Sequence, residues 1–206
     1  AVVRGDVARA LAEDIGSGDI TAPLIPATLL ARAAVISREE AIICGAAWFD
    51  QAFHTLDPRV AVDWHIGDSE AAAPAQTLCT LSGPARALLS GERTALNFLQ
   101  LLSGTASRAR RYAEAVAGTS AKILDTRKTL PGLRAAQKYA VRCGGCFNHR
   151  SSLGEHVLIK DNHVAAAGSL AKAVALCRAA APHAAKIEVE TTTLAEVREA
   201  CRAGAP

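Results

Sequence analysis

Three short polar segments near the middle of the chain contain the residues best suited to bind an anion: 125–128 (Asp-Thr-Arg-Lys), 148–150 (Asn-His-Arg) and 160–163 (Lys-Asp-Asn-His). The first and third follow short apolar runs, so each is predicted to lie at the end of a strand. Parallel α/β folds bind their ligands at such strand ends. Residues 122–163 include eight Lys or Arg and three Asp or Glu, a local net charge of +5 in a chain of net charge +3. This concentration of positive charge indicates an anionic substrate.

Each basic residue also has an ordinary explanation when it is considered alone. Arg127 and Lys128 could belong to a solvated loop, and the i, i+4 spacing of Arg134 and Lys138 favours an exposed helix face. Several predicted strand ends carry basic residues, however, and this favours an anion-binding site over a set of solvated side chains. Arg forms bidentate pairs with carboxylate or phosphate, and Lys adds a point charge.

Two glutamates, Glu188 and Glu190, lie at the end of a strand predicted at 185–189, and the alternation of side chains along a strand places both on one side of it. If they face a pocket, they need a cation such as Mg²⁺ or a network of substrate hydroxyls. If the strand lies at an exposed edge, they face solvent. The residues alone leave both alternatives open.

Cys143 and Cys146 have the C-x-x-C spacing of redox and zinc sites. Zinc needs four ligands, and the sequence contains no second pair of this kind. A thioredoxin-type pair begins a helix, whereas this pair follows a predicted helix. A thiol-based redox or metal protein is therefore kept only as an alternative, and the other four cysteines are predicted to be buried, free thiols.

Composition and charge narrow the class of protein. Half of the 206 residues are hydrophobic and only 4% are aromatic, which indicates a folded chain with a core of small aliphatic side chains. No apolar run approaches the length of a bilayer span, and the first residues do not resemble a secretory signal. A cytoplasmic protein that does not bind membranes is therefore predicted. Nucleic-acid binding is not expected either, since no basic patch is interleaved with aromatic residues.

Two domains must position the polar segments. Residues 1–104 mix helices and strands without βα alternation and are predicted to form an α+β domain that ends in a linking helix at 84–102. Residues 105–206 begin with a second helix at 105–117 and then alternate between strand and helix, which predicts a parallel sheet. The strands of this second part are predicted at 121–124, 156–159 and 185–189, and its further helices at 131–141, 169–180 and 193–203.

Several longer strings make the chain similar to a known family. They lie at residues 18–21, 91–97, 125–134, 138–141, 144–145, 148–150 and 158–163, and together they extend over essentially the whole chain. In these strings the chain resembles the quinolinate phosphoribosyltransferases, also called carboxylating nicotinate-nucleotide pyrophosphorylases. A related group linked to molybdate transport shares some of the motifs and is the nearest alternative, and a catalytically inactive fragment is another.

The resemblance implies a fold and an activity. The expected fold is an N-terminal α+β sandwich domain followed by an open α/β barrel, assembled as a homodimer or a higher even oligomer. The expected enzyme is a pentosyltransferase of NAD biosynthesis. With Mg²⁺, it would convert quinolinate and phosphoribosyl pyrophosphate to nicotinate mononucleotide, pyrophosphate and CO₂.

The resemblance also implies roles for individual residues. Lys128 would lie near the ribose and pyrophosphate, and Glu190 would face the ribose hydroxyls or the metal, so these two are the expected catalytic residues. Five residues are expected to hold the carboxylates of quinolinate, with the first of them coming from a partner subunit: Arg93, Arg127, His149, Arg150 and Lys160. Thr126 is a further expected substrate-binding residue.

Two features depart from the pattern of this family. Cys146 stands where a third glycine is common, and it would be strained if that position required a positive φ. The chain also stops where the family would continue into its next barrel strand. Its three predicted βα units fall short of the roughly eight of a closed barrel, so the 206 residues are expected to be part of a longer polypeptide.

Overall fold

In a computed structural model the chain forms two units, Ala1–His149 and Arg150–Pro206. The structure describes residues 1–181, 183 and 186–205. The helices are α1 Val2–Ile15, α2 Ala46–Leu56, α3 Ala85–Ala115, α4 Arg134–Cys143, α5 Asp161–Ala167, α6 Leu170–Ala180 and α7 Leu194–Arg202. The strands are β1 Leu30–Ile36, β2 Ala41–Ile42, β3 Ala61–Trp64, β4 Ala71–Ala72, β5 Thr77–Pro84, β6 Val157–Ile159 and β7 Ile187–Val189.

The first unit is built on an antiparallel sheet in the order β1-β5-β3. The central strand β5 buries Leu78, Cys79 and Leu81, and the short pair β2 and β4 forms a separate two-stranded sheet. Helices α2 and α3 belong to the same hydrophobic core as this sheet. The mixture of antiparallel strands and helices confirms the α+β class that the sequence predicts for this part of the chain.

Helix α3 is a single helix of 31 residues, so the prediction of two helices separated at Gly104 is wrong. Side chains on both sides of this glycine are fixed to the segment that includes β2. Ser103 Oγ accepts a hydrogen bond from the backbone N–H of Cys44 at 3.0 Å, and Ser107 Oγ accepts one from Ile42 at 2.8 Å. Glycine inside a helix costs only about 1 kcal/mol relative to alanine, and these contacts offset that cost.

The predicted strand at 121–124 is also wrong as an extended element. Only an isolated parallel bridge joins Leu124 to Phe147, and Asp125 N–H donates to the Phe147 carbonyl at 3.0 Å. The helix predicted from 131 begins later, at Arg134, because Pro131 and Gly132 form a turn in which Gly132 has a φ of 79°. Segments 123–125 and 147–149 therefore run side by side with few ladder bonds.

The second unit contains the parallel pair β6 and β7, with α5 and α6 between the two strands in sequence and α7 after them. Its core includes Ile159, Leu170, Val174 and Ile187. The helix starts follow the sequence closely, since Ser169 caps α6 and Thr193 and Glu196 form the predicted capping box of α7. This βα alternation confirms the α/β class of the C-terminal part.

Two details of the second unit differ from the predictions. Helix α5 was not predicted, and the first residues of the strand predicted at 185–189 lie partly outside the described residues. Among the residues that the structure describes, no helix has the combination of length and apolar character that a bilayer crossing needs.

Candidate functional site

The turn that follows Leu124 carries the first group of predicted site residues. Thr126 Oγ1 accepts a hydrogen bond from Lys128 N–H at 3.0 Å, and Thr129 N–H donates to the Arg127 carbonyl at 3.0 Å. These two bonds fold the backbone back on itself directly after the bridge. Thr126 and Lys128 are exposed and Arg127 is half-buried, so the turn presents both cations within one short loop.

Arg127 has a buried donor with no partner among the described residues. Its Nε atom is inaccessible to solvent and makes no hydrogen bond to any residue that the structure describes. A buried polar group of this kind costs free energy unless a ligand or water satisfies it. The Arg127 guanidinium is therefore suited to bind an anionic group.

A buried ion pair lies beneath this turn. Lys138 Nζ contacts Asp125 Oδ1 at 2.5 Å, and the two side chains are only 5% and 8% exposed. The prediction that Lys138 lies on an exposed helix face is therefore wrong, since it lies on α4 between the buried Ala136 and Ala140. Sequence reasoning missed this pair because the apolar pattern of the helix does not show which acid its basic residue meets.

His149 is connected to the same ion pair through its backbone. Its N–H donates to Asp125 Oδ1 at 2.8 Å, and its carbonyl accepts from Lys138 Nζ at 2.8 Å. Thus Thr126, Arg127, Lys128 and His149, four of the predicted substrate-binding residues, belong to one region of the first unit.

The glycine pair before His149 has a structural explanation. A Cβ atom on Gly144 would lie 2.3 Å from the Ala106 carbonyl oxygen of α3, so only glycine allows this close approach. Gly145 has a φ of 93°, whereas Cys146 is not among the described residues with positive φ. The expected strain at Cys146 is therefore absent.

The second unit carries the other predicted site residues. Arg150 Nη1 donates to the His156 carbonyl at 2.9 Å. Lys160 follows β6 and Glu190 follows β7, and because these strands are parallel the two residues meet at the same end of the sheet. Lys160 Nζ lies 3.4 Å from Glu190 Oε2, with side chains that are 48% and 58% exposed.

The predicted site residues are therefore grouped within each unit. Arg127, Lys128 and His149 form one group, and Lys160 and Glu190 form another. The convergence of Arg127, Arg150 and Lys160 on one cavity stays a prediction. Arg127 belongs to the first unit, and Arg150 and Lys160 belong to the second.

Arg93 lies in the first unit, on the exposed side of α3. It lines a groove with a volume of about 950 Å³, to which other basic residues also contribute, and among the described residues its side chain has no ion pair or hydrogen bond. The charged residues of this groove are four arginines and three glutamates: Arg38, Arg93, Arg108, Arg111, Glu39, Glu40 and Glu92.

The C-x-x-C pair does not form a joint site. Cys143 lies near Cys44 and Asp68, while Cys146 Sγ donates to the Ala109 carbonyl at 3.2 Å. Burial raises the pKa of the Cys44 and Cys146 thiols, and a protonated, buried thiol is a poor nucleophile. The Asp68 carboxylate already accepts hydrogen bonds from the backbone of residues 45 and 46 and from the Tyr139 hydroxyl. Cys143 and Cys146 thus have different partners, which does not favour a redox pair. The donor atoms of Cys44, Asp68 and Cys143 lie within 4.8 Å of one another, but this group does not include Cys146, so it is not the metal site that the C-x-x-C spacing suggests.

The chain matches two domain models of one known protein family. The family model described as "Quinolinate phosphoribosyl transferase, N-terminal domain" matches residues 19–103, and the model for the C-terminal domain of the same family matches residues 105–206. The chain belongs to the quinolinate phosphoribosyltransferase family. The resemblance that the sequence motifs indicate is thereby confirmed.

Curated relatives of this family include bacterial and human proteins. The chain is 45% identical over 193 residues to a probable carboxylating nicotinate-nucleotide pyrophosphorylase of Bacillus subtilis, with coverage of 94% of the chain and 67% of that relative. It is 45% identical over 201 residues to the Mycobacterium leprae enzyme, with coverage of 94% and 69%. For the Homo sapiens enzyme the identity is 40%, with coverage of 84% and 59%. The chain thus spans about two thirds of the length of the bacterial relatives and less of the human one.

Solved structures of quinolinate phosphoribosyltransferases have the same fold. The nicotinate-nucleotide pyrophosphorylase of Francisella tularensis matches with a TM-score of 0.94 and 42% identity, over 99% of this chain and 72% of that one. NadC of Streptococcus pyogenes matches with a TM-score of 0.93 and 38% identity, over 98% and 72%. The names of these relatives do not favour the molybdate-transport alternative.

Proposed function

We propose that this protein transfers the phosphoribosyl group of phosphoribosyl pyrophosphate to quinolinate, with decarboxylation, to give nicotinate mononucleotide, pyrophosphate and CO₂. The main support is the match of both family domains along the chain. It is strengthened by the unpartnered Arg127 Nε in a turn that also carries Lys128. Both substrates are anions, and fixed cations are what the desolvation of several negative charges requires.

In this proposal, different residues of the site bind the two substrates. The quinolinate carboxylates are held by Arg127, His149, Arg150 and Lys160. Lys128 and Thr126 take the phosphoribosyl pyrophosphate side. Arginine suits the carboxylates because its planar guanidinium can donate two parallel hydrogen bonds.

During the reaction a positive charge develops at the anomeric carbon, and a negative charge then develops on the pyridine ring. Both charges need stabilisation. As pyrophosphate leaves, the anomeric carbon becomes oxocarbenium-like, and the Glu190 carboxylate stabilises that charge from the ribose side. After the quinolinate nitrogen has bonded to this carbon, loss of CO₂ leaves an electron pair on the adjacent ring carbon. The quaternised nitrogen and the cations that held the carboxylate stabilise this pair until a proton replaces it.

We propose Mg²⁺ as the cofactor, and Glu190 fits it. Mg²⁺ is usually held by one or two carboxylates together with waters and substrate phosphates, and Glu190 offers a half-exposed carboxylate at the end of β7. When bound, the ion would neutralise negative charge on the pyrophosphate leaving group.

We also propose that the protein forms an even oligomer and is located in a reducing compartment. Arg93 is exposed on α3, in a groove lined by both arginines and glutamates, and has no ion-pair partner among the described residues, which suits a role in a site of a second subunit. All six cysteines are free thiols. This fits the cytoplasm, where disulfides are rare.

The first prediction is strong discrimination between quinolinate and nicotinate. The two ligands differ by one carboxylate, and without it a buried cation is left unpaired, at a cost on the order of 2–5 kcal/mol. Calorimetric titration of the wild-type protein should therefore show much weaker binding of nicotinate. Arg127→Ala should abolish most of the difference, whereas Arg4→Ala, an exposed arginine on α1, should leave it intact. Equal affinity of the wild-type protein for both ligands would contradict the proposed function.

A further inference from the structure

The ion pair between Lys138 and Asp125 is unusual in this molecule because both charges are almost completely removed from solvent. The side chains are 5% and 8% exposed, and Nζ lies 2.5 Å from Oδ1. Burial of two charges carries a desolvation cost that their attraction often fails to exceed, and an apolar pair is frequently as stable. Stability alone is therefore a weak explanation for this pair.

Both carboxylate oxygens of Asp125 accept hydrogen bonds from two neighbouring segments. Oδ1 accepts from Lys138 Nζ and from His149 N–H, and Oδ2 accepts from Asn148 Nδ2 at 2.6 Å. Asn148 Nδ2 also donates to the Lys138 carbonyl at 2.9 Å. One connected network thus fixes residues 148–149 to Asp125, which begins the turn with Arg127 and Lys128.

This network also limits which groups can pair with the Arg127 guanidinium. Asp125 lies only two residues from Arg127, and a carboxylate so close in sequence is an obvious candidate for a local ion pair. Its oxygens are instead taken by Lys138, Asn148 and the His149 backbone. The buried Arg127 Nε is left without a partner among the described residues.

We infer that Lys138 and Asp125 are positioning residues for the substrate site. Lys138 neutralises Asp125 and keeps its carboxylate away from Arg127, and the shared network fixes the Arg127–Lys128 turn relative to His149. The anion-binding groups are thereby held in place before the substrate arrives, which lowers the cost of binding. Neither residue needs to touch the substrate, and the substrate assignment itself rests on the proposed function.

Lys138→Met tests the inference, because methionine replaces the buried chain but leaves Asp125 without its cation. At a temperature where circular dichroism shows the variant to be folded, its quinolinate dissociation constant should rise by about 10–100-fold, the range found when a group that orients a metal ligand is removed. Lys122→Met is the matched control, because Lys122 is an exposed lysine over the Phe147 ring. Its affinity should equal that of the wild type.

Hydrogen–deuterium exchange gives a readout that needs no substrate. Peptides that contain 125–130 and 146–150 should exchange faster in Lys138→Met than in the wild type or Lys122→Met. If Lys138→Met does not fold, Asp125→Asn, which keeps a side-chain oxygen, is expected to show the same two effects more weakly.

The two readouts separate the two hypotheses. A wild-type protein that fails to bind quinolinate refutes the proposed function, and the exchange rates then decide the positioning role. A folded Lys138→Met protein with wild-type quinolinate affinity refutes positioning while the proposed function stands. Unchanged exchange in both peptides also refutes positioning.

Discussion

At the scale of single residues, Asp50 shows how burial affects a carboxyl group away from the candidate site. Its Oδ1 accepts a hydrogen bond from Trp64 Nε1 at 2.9 Å. Desolvation nevertheless raises the pKa of Asp50 above its usual range, with a further increase from the nearby Asp68 charge. Between its unfolded and folded pKa values the folded protein binds more protons, so this contribution to stability is lost as pH rises through the folded pKa.

Asp50→Asn should therefore become more stable relative to the wild type as pH rises from about 3 to 7. Asparagine cannot ionise, and its Oδ1 can still accept the bond from Trp64. Urea unfolding at a series of pH values measures the difference in free energy of unfolding between the two proteins. Asp57→Asn is the control with the opposite sign, because the hydrogen bond from Arg59 lowers the pKa of Asp57 to about 2. A pH-independent difference for Asp50→Asn would contradict this account.

The sequence predicted the types of site residue better than their surroundings. Arg127 was a candidate because polar residues after an apolar run indicate a strand end, whereas His149 follows no such run and was a candidate through the family motif at 148–150. The burial of Lys138 was not identifiable, because its partner Asp125 is 13 residues away and meets it only after 123–125 and 147–149 have aligned. Long-range pairing of this kind leaves no periodic signal in a single sequence.

At the scale of elements, two glycines on α3 give a matched pair for a stability prediction. A Cβ on Gly104 would meet no atom within 4 Å, whereas one on Gly91 would lie 2.9 Å from Phe53 Cδ1 of α2. Gly104→Ala should raise the free energy of unfolding by about 0.5–1 kcal/mol through helix propensity. Gly91→Ala should lower it by roughly 1 kcal/mol or more through overpacking. Chemical denaturation of both variants measures these changes, and destabilisation by Gly104→Ala would show that α3 is not a regular helix there.

Other elements show where sequence patterns succeed. The starts of α6 and α7 were predicted closely because capping and apolar periodicity are local signals. The bridge at Leu124 was overpredicted as a strand because an apolar run reveals β-propensity but not the partner that completes a ladder. The uninterrupted α3 was missed for the opposite reason, since tertiary contacts of Ser103 and Ser107 outweigh a local helix breaker.

At the scale of the whole molecule, the predicted substrate-binding residues are divided between the two units. Arg127, Lys128 and His149 belong to Ala1–His149, whereas Arg150, Lys160 and Glu190 belong to Arg150–Pro206. Arg93 is separate from both groups in sequence and lies in a groove of the first unit beside α3. A site that uses all of them requires residues from distant parts of the chain, and in the proposed oligomer Arg93 comes from a second copy.

Complementation between inactive variants tests this shared site. Arg93→Ala and Lys160→Ala should each lose most activity, but a hybrid dimer would contain one site with both residues intact. Random pairing makes half of the dimers hybrid with one intact site of two, so about one quarter of wild-type activity should return. Nicotinate mononucleotide formation measures the activity, and native mass spectrometry measures how many hybrids form.

A mixture of Arg127→Ala and Lys160→Ala is the control. If those two residues act in the site of the same subunit, every site in the mixture lacks one of them, and no activity should return. Hybrid dimers of Arg93→Ala and Lys160→Ala that stay inactive would show that Arg93 serves its own subunit or no site at all.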